Sequence, residues 1–253
     1  MRKILIIGIG AGNPDYMTIQ AIKALNRADV FFIPDKGTEK VALRQLREEI
    51  CDRFIEQPGY RTVGFKVPDR DGGGPNYRGG VEEWRGKLAD AYESLFAEHL
   101  AEDQCGAFLV WGDPSLYDST LRILETIRDR GFAFDYEVIP GISAVQALTA
   151  RHRVALNRIG EPILVTTGRR IAGGLPDGLD NVVVMLDGET AFRQIDGADI
   201  DIYWGAYLGT PDEILVSGRL SEVADEIERV RREARTEKGW IMDTYLLRRT
   251  RED

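Results

Sequence analysis

Apolar positions in the first half of the chain fall into short unbroken runs that alternate with stretches of helical spacing. Lys3–Ile9 is almost entirely Ile and Leu, which predicts a strand covered on both faces. Thr18 to Ala28 places Ile19, Ile22, Ala24 and Leu25 at helical spacing, with Thr18 as N-cap. Val30–Ile33 predicts a second strand, stopped by Pro34, and Glu39–Ile50 a helix with Val41, Leu43, Leu46 and Ile50 on its apolar face. Arg61–Val67 is a third strand candidate. The stretch "VPDRDGGGPNYRGG" (67–80) carries Gly and Pro throughout and predicts a loop. Val81 to Ala101 then predicts a long amphipathic helix with Trp84, Leu88, Ala91, Leu95 and Phe96 on one side. Strands at Ala107–Val110 and Tyr136–Ile139 follow, with a helix from Thr120 to Arg128 between them and another, capped by Ser143, running to Arg151.

The second half changes rhythm. Ile163–Thr167, Val182–Leu186, Ile200–Ala206, Ile214–Ser217 and Ile241–Leu247 predict strands that sit closer together, which suits a mixed sheet. Ser221 is placed to cap a polar helix through Arg235, acidic at its start and arginine-rich at its end, as the helix dipole favours. The change falls in "HRVALNRIGE" (152–161) and divides the chain into domains 1–154 and 155–253.

A chain of 253 residues suits one large or two medium domains, and 43% apolar content supplies a substantial core. The formal charge of −9 argues against a general nucleic-acid binder, which needs a basic field. It leaves room for an anionic ligand held by a local arginine cluster. Cys51 and Cys105 lie in no CxxC pair and read as reduced thiols. His99 and His152 are the only histidines, so a His-rich metal site is not expected, and no metal is assigned. No stretch approaches the roughly 18 apolar residues of a membrane span, so a soluble, cytoplasmic protein is expected.

Three strand ends carry one device: a Gly/Pro turn, a polar residue, then a helix. The first is "GIGAGNPDYMT" (8–18). Its glycines suggest a dinucleotide loop, but the third arrives one position early and Asn13-Pro14-Asp15 delay the helix. A tight strand-to-helix turn explains them as well. The second is "VWGDPSLYDST" (110–120). Asp113 there either faces a ligand outside the strand C-termini or closes an Asx-turn, and Tyr117 faces the same cleft or the surface. The third is "EVIPGISAVQA" (137–147), where Gly141 permits close backbone approach and Ile142 offers an apolar wall. Such turns suit a flat heteroaromatic ligand.

Together "GIGAGNPDYMT", "WGDPSLYDST" and "VIPGISA" resemble the consecutive signatures of the tetrapyrrole methylase family, and "PILVTTGRR" and "YWGAYLGTPDEILVSGRL" resemble its later blocks. The likeness covers nearly the whole chain. Within the family, "YRTVGFKVPDRDGG", "YRGGVEEWRGKLADAY", "DIDIYWGAYLGTPDEIL" and "GWIMDTYLLRR" are similar to the precorrin-6A synthase (deacetylating) branch of cobalamin biosynthesis. The resemblance implies a two-domain α/β fold with a mainly parallel N-terminal sheet, a mixed C-terminal sheet and the active site between domains. It implies a homodimer, S-adenosylmethionine as methyl donor, and precorrin-5 as substrate, methylated at carbon 1 with loss of acetate.

Carried over residue by residue, the implied donor contacts are Ala11, Asp113, Leu116, Gly141 and Ile142, then Leu186, Ala206 and Ile241. The "KGWIMD" around Ile241 departs from the usual block. The glycine loop, with Gly10 and Gly12, belongs with the tetrapyrrole side, the part assigned to the first domain; the second completes the donor site. Loss of the acetyl group asks for a base, Asp15 or Asp113, and an oxyanion donor, Tyr16 or Tyr117. A substrate rich in carboxylates asks for arginine: Arg70, Arg78 and Arg85, with Arg61, beside the glycine-rich loop, or Arg151, Arg153, Arg158, Arg169 and Arg170 near the domain junction. The rival readings are another precorrin C-methyltransferase, a nicotinamide-dependent oxidoreductase, a non-catalytic tetrapyrrole carrier, and a nucleic-acid methylase that the charge disfavours.

Overall fold

The apolar runs of the first half become β1 (Lys3–Gly8), β2 (Val30–Asp35), β3 (Arg61–Lys66), β4 (Cys105–Val110) and β5 (Asp135–Ile139). They pair in parallel in the order β3-β2-β4-β1-β5. Successive side chains of a strand point to opposite faces, so a run without polar interruption needs cover on both. Ile4 and Ile6 of β1 face one core with Phe32 and Phe108, and Leu5 and Ile7 face the other with Phe31 and Leu109. Helices α1 (Ile19–Leu25) and α2 (Val41–Phe54) close the second of these faces, and α3 (Tyr77–His99) and α4 (Thr120–Asp129) the first. Tyr92 of α3 stacks on Phe108 with ring centroids 4.4 Å apart. The structure, a computed structural model, describes residues 1–35, 41–68 and 77–250.

Thr18 caps α1 as expected, its hydroxyl accepting from Ala21 N at 3.0 Å. Ile19 does not join the apolar face. It is 74% exposed at the helix start, and Ala21, Ala24 and Leu25 carry the contact. Of the loop expected over 67–80, residues 69–76 lie outside the described residues, and Tyr77 to Gly80 belong instead to α3. Each glycine costs a helix about 1 kcal/mol. A helix nucleated by downstream packing gains a bond per added residue, and Trp84, Leu88, Tyr92, Leu95 and Phe96 anchor this one on the core.

The second half builds β6 (Leu164–Thr167), β7 (Asn181–Met185), β8 (Ile200–Ala206), β9 (Ile214–Arg219) and β10 (Asp243–Arg249), in the order β6-β7-β10-β8-β9. Only β6 and β7 are parallel, so the sheet is mixed as expected. Helices α5 (Ala144–His152), α6 (Gly168–Ile171) and α7 (Leu220–Lys238) complete this half, and α5 packs on β8 and β10. The chain separates into two compact units, Met1–Ser143 and Ala144–Asp253.

Ser221 does not cap α7. β9 runs to Arg219 and α7 starts at once with buried Leu220, so Ser221 falls inside the first turn, and no side chain caps the helix. Burial of Leu220, not a cap bond, fixes where this helix begins. At its other end Gly239 takes the left-handed conformation and donates to Arg235 O, a conventional glycine stop. Among the described residues no helix is long and apolar enough to cross a membrane. Both cysteines are free, and burial pushes the Cys51 thiol up to about 12.

Candidate functional site

Position of β1 between β4 and β5 decides the geometry of the first unit. The three turns, at 8–18, 110–120 and 137–147 in sequence, leave three adjacent strands at the same, C-terminal, edge, where parallel sheets place ligands. Pairing continues past β1 and β4 into the turns. Ile9 N donates to Val110 O at 2.9 Å, and Gly112 N donates to Gly10 O at 2.8 Å.

Glycines let these turns touch. A Cβ on Gly141 would lie 2.1 Å from Gly112 O and 2.8 Å from Gly8 Cα, and one on Gly8 would lie 2.6 Å from Gly141 N. Gly141 thus admits neighbouring backbone of the protein itself. Gly10 and Gly12 have φ of 81° and 118°, a conformation that side chains disfavour, which supports the tight-turn reading of this loop. A short 3-10 turn, Pro14–Tyr16, capped by the Asn13 side chain, intervenes before α1. The glycine amides therefore do not stand at a helix N-terminus, as a dinucleotide loop requires.

Asp113 locks the arrangement. Its Oδ2 accepts from Gly141 N at 2.8 Å, and its Oδ1 accepts from Ser115 N at 2.8 Å and from the Ser115 hydroxyl. It closes its own turn and reaches across to the next. Partial burial pushes its carboxyl up, but the bonds from Ser115 and Gly141 outweigh this and hold it below the usual carboxylate range. The stability these bonds lend is present above the ordinary value near 4 and is lost as pH falls through the lower folded value. In an acid titration of stability followed by circular dichroism, Asp113→Asn is expected to flatten that segment of the curve.

Around this lock, Ala11 is buried, and Leu116 and Ile142 are half-buried. Tyr117 takes a left-handed φ of 54° and is 45% exposed, and burial of its ring pushes its hydroxyl pKa up. Tyr16 packs its Cβ against Gly10. Asp15 is on the surface, ion-paired with Arg53 of α2 at 2.6 Å. Arg85 is half-buried on α3, and its Nε has no hydrogen-bond partner among the described residues. Arg61 is spent on the His99 carbonyl at 2.9 Å. Arg70 and the Arg78 side chain lie outside the described residues.

In the second unit β10 runs antiparallel to both β7 and β8, with Thr244 opposite Met185 and Asp243 opposite Ala206. One edge of that sheet therefore collects Leu186, Ala206 and the approach to β10 at Ile241. Leu186 is left-handed, φ 53°, and 62% exposed, which is unusual for a large apolar residue. Ala206 is fully buried, so only its backbone is available, and Ile241 packs half-buried on the second core. Of the second arginine group, Arg151 pairs with Glu213, and Arg158 donates to Arg249 O at 2.7 Å.

A buried polar network beneath this edge was not foreseen. Arg231 of α7 donates from Nε to Asp243 Oδ2 at 2.9 Å and from Nη2 to Asp187 O at 2.6 Å. Trp204 Nε1 donates to the same Asp243 oxygen at 3.0 Å. Asp187 Oδ2 accepts from Tyr245 OH and from Ala191 N, both at 2.7 Å. These bonds hold the residue after Leu186 and the first residue of β10. In sequence, each member reads as an ordinary surface charge or core aromatic.

The family model for Tetrapyrrole (Corrin/Porphyrin) Methylases matches residues 3–224. The chain belongs to the tetrapyrrole methylase family. It is 54% identical over 250 residues to a precorrin-6A synthase [deacetylating] of Sinorhizobium sp, covering 98% of this chain and 96% of that relative. It is 31% identical over 144 residues to a precorrin-2 C(20)-methyltransferase of the same source, covering 56% of this chain and 55% of that one. Among solved structures, a cobalamin synthesis related protein (CobF) from Corynebacterium diphtheriae aligns with a TM-score of 0.86 at 41% identity, covering 99% of this chain and 100% of that one. A uroporphyrin-III C-methyl transferase from Thermus thermophilus, complexed with S-adenosyl homocysteine, aligns at 0.56 with 19% identity, covering 97% and 96%, and shares this methylase's fold.

Proposed function

We propose that this methylase is a precorrin-6A synthase of the deacetylating kind. It transfers a methyl group from S-adenosylmethionine to carbon 1 of precorrin-5, with water consumed and precorrin-6A, acetate and S-adenosylhomocysteine released. The observation that carries this reading is the near-full-length identity to the Sinorhizobium relative of that name, set against a weaker, partial match to a precorrin methylase acting elsewhere on the ring. S-Adenosylmethionine supplies an already activated methyl on a sulfonium, so the protein's task is alignment of the reacting atoms at about 3–3.5 Å.

The residues suit that donor: Leu116, Ile142 and the exposed Leu186 offer it apolar contacts. Donor contacts are assigned to Ala11, Asp113, Leu116, Gly141 and Ile142 in the first unit and to Leu186, Ala206 and Ile241 in the second. Gly10, Gly12 and Arg85, with Arg70 and Arg78, are assigned to the substrate. Asp113 acts best as the tie that shapes the donor turns, because both its oxygens already accept bonds and its carboxyl is held low. A general base works best near the operating pH. Tyr117 suits the donor role toward the oxygen of the acetyl ketone as water adds, since a tyrosine hydroxyl is protonated at neutral pH and this one is half exposed beside the donor turns. The enzyme works as a homodimer in this reading.

Incubation with S-adenosylmethionine and precorrin-5 is expected to yield acetate and a product heavier by one methyl and lighter by one acetyl. Methyl gain without acetate points to a methylase acting at another carbon and overturns the reading. Tyr117→Phe is expected to slow acetate release about 100-fold, with S-adenosylhomocysteine affinity kept.

A further inference from the structure

β2 and β4 pair only as far as Phe32 and Phe108, although both strands run on, to Asp35 and Val110. The connections that leave them diverge, with α2 on one face of the sheet and α4 on the other. Such a divergence opens a crevice at the C-terminal edge of a parallel sheet. Arg47 of α2 reaches this place. Its Nε donates to Leu109 O at 2.9 Å and its Nη1 to Leu43 O at 2.6 Å.

Arg47 differs from its neighbours on the same helix. Arg44 and Arg53 are exposed and ion-paired, with Glu48 and Asp15. Arg47 is 7% exposed, and its hydrogen-bond partners among the described residues are two neutral carbonyls. Asp118 acts on it through its field, without an ion pair. Burial pulls the guanidinium down to about 10, far above neutrality, so it stays charged. Its printed bonds use Nε and Nη1, and no hydrogen bond joins its Nη2 to another described residue. Asp118 offsets this desolvation only in part, from a distance, and an anion bonded directly to the guanidinium would offset it further.

We propose that Arg47 binds a carboxylate of the tetrapyrrole substrate at the crevice between the C-terminal ends of β2 and β4. This rests on the tetrapyrrole reading above and adds to it a substrate ligand set in the sheet rather than in the glycine-rich loop. Arg47 falls within the helix predicted over 39–50 and is not among the residues of its apolar face. Nothing in local sequence marks it, because burial without a directly bonded carboxylate is a tertiary fact.

Steady-state kinetics with precorrin-5 on the full chain test this. Arg47→Gln keeps a donor for Leu109 O and removes the charge. It is expected to raise KM for precorrin-5 about 30-fold or more, with KM for S-adenosylmethionine within about threefold. Arg47→Lys, which keeps charge but not the fork, should fall between. An unchanged KM for precorrin-5, or equal rises in both KM values, overturns the assignment and leaves the function standing. A wild-type protein inert toward precorrin-5 overturns the function and the assignment with it. Melting curves accompany each variant. If neither folds, Arg47 is a strut for the Leu109 carbonyl, and the assignment falls.

Discussion

Gly141→Ala is expected to give protein that is poorly folded and binds no S-adenosylhomocysteine. A methyl group there meets Gly112 O at 2.1 Å and Gly8 C and Cα at 2.8 Å, all of them backbone atoms of neighbouring strand ends. No flexible side chain can move aside. Overpacking costs about 1–3 kcal/mol where side chains can yield, so a clash with three fixed backbone atoms belongs above about 3 kcal/mol. Total stability for a domain is about 5–15 kcal/mol, and at this chain length about 3 kcal/mol lowers the melting temperature by roughly 6–12 °C. Relief of the clash requires the β1, β4 and β5 turns to part, and these are the turns assigned to the donor. Gly86→Ala is the matched control. Gly86 lies within α3, with nothing among the described residues near its missing Cβ, and alanine there is expected to add about 0.5–1 kcal/mol. Differential scanning fluorimetry with and without S-adenosylhomocysteine reads both. A Gly141→Ala protein that melts like wild type and keeps its ligand shift removes the contact from the account.

Arg231→Met should be nearly as damaging, for an electrostatic reason. Arg231 and Asp243 are both buried and joined at 2.9 Å. Loss of one partner strands the other charge, which costs about 3–5 kcal/mol, whereas removal of both charges is often close to neutral. Arg231→Met combined with Asp243→Asn should therefore recover most of the loss, since asparagine still accepts from Trp204 Nε1. Burial already pushes the Asp243 carboxyl up, against the pull of Arg231. Without the arginine it rises further. A raised carboxylate is neutral in the fold below its folded value, so the single variant should regain stability relative to wild type as pH falls from 7 toward 4. Urea unfolding at pH 7 and pH 5 measures this. Equal losses in single and double variants at both values would show that packing of the methylene chain, and not charge, is what Arg231 provides.

Much of this was legible in the chain. Continuous runs such as Ile4–Ile9 can be covered only as strands of a two-faced sheet, which follows from local spacing, whereas the parallel pairing of that sheet was implied by the family resemblance. The Thr18 cap and the left-handed Gly10 and Gly12 were likewise determined locally, since a hydroxyl or a missing Cβ acts on its own few residues. What failed locally was overruled from a distance. Ser221 had the right chemistry for a cap, but burial of Leu220 started α7 two residues earlier than that cap implies. Gly79 and Gly80 read as loop, but a helix anchored by Trp84, Leu88 and Tyr92 extended through them. The site divides in the same way. Sequence marked Asp113 and Gly141 as unusual residues in turns. Only the strand order β4-β1-β5 set Asp113 Oδ2 2.8 Å from Gly141 N, because pairing between segments 28 residues apart is set by long-range burial and not by either turn. Arg47 and Arg231 were invisible for a deeper reason. An arginine's role depends on which carboxylates stand near it after folding, and helical spacing shows only its own neighbours on the helix.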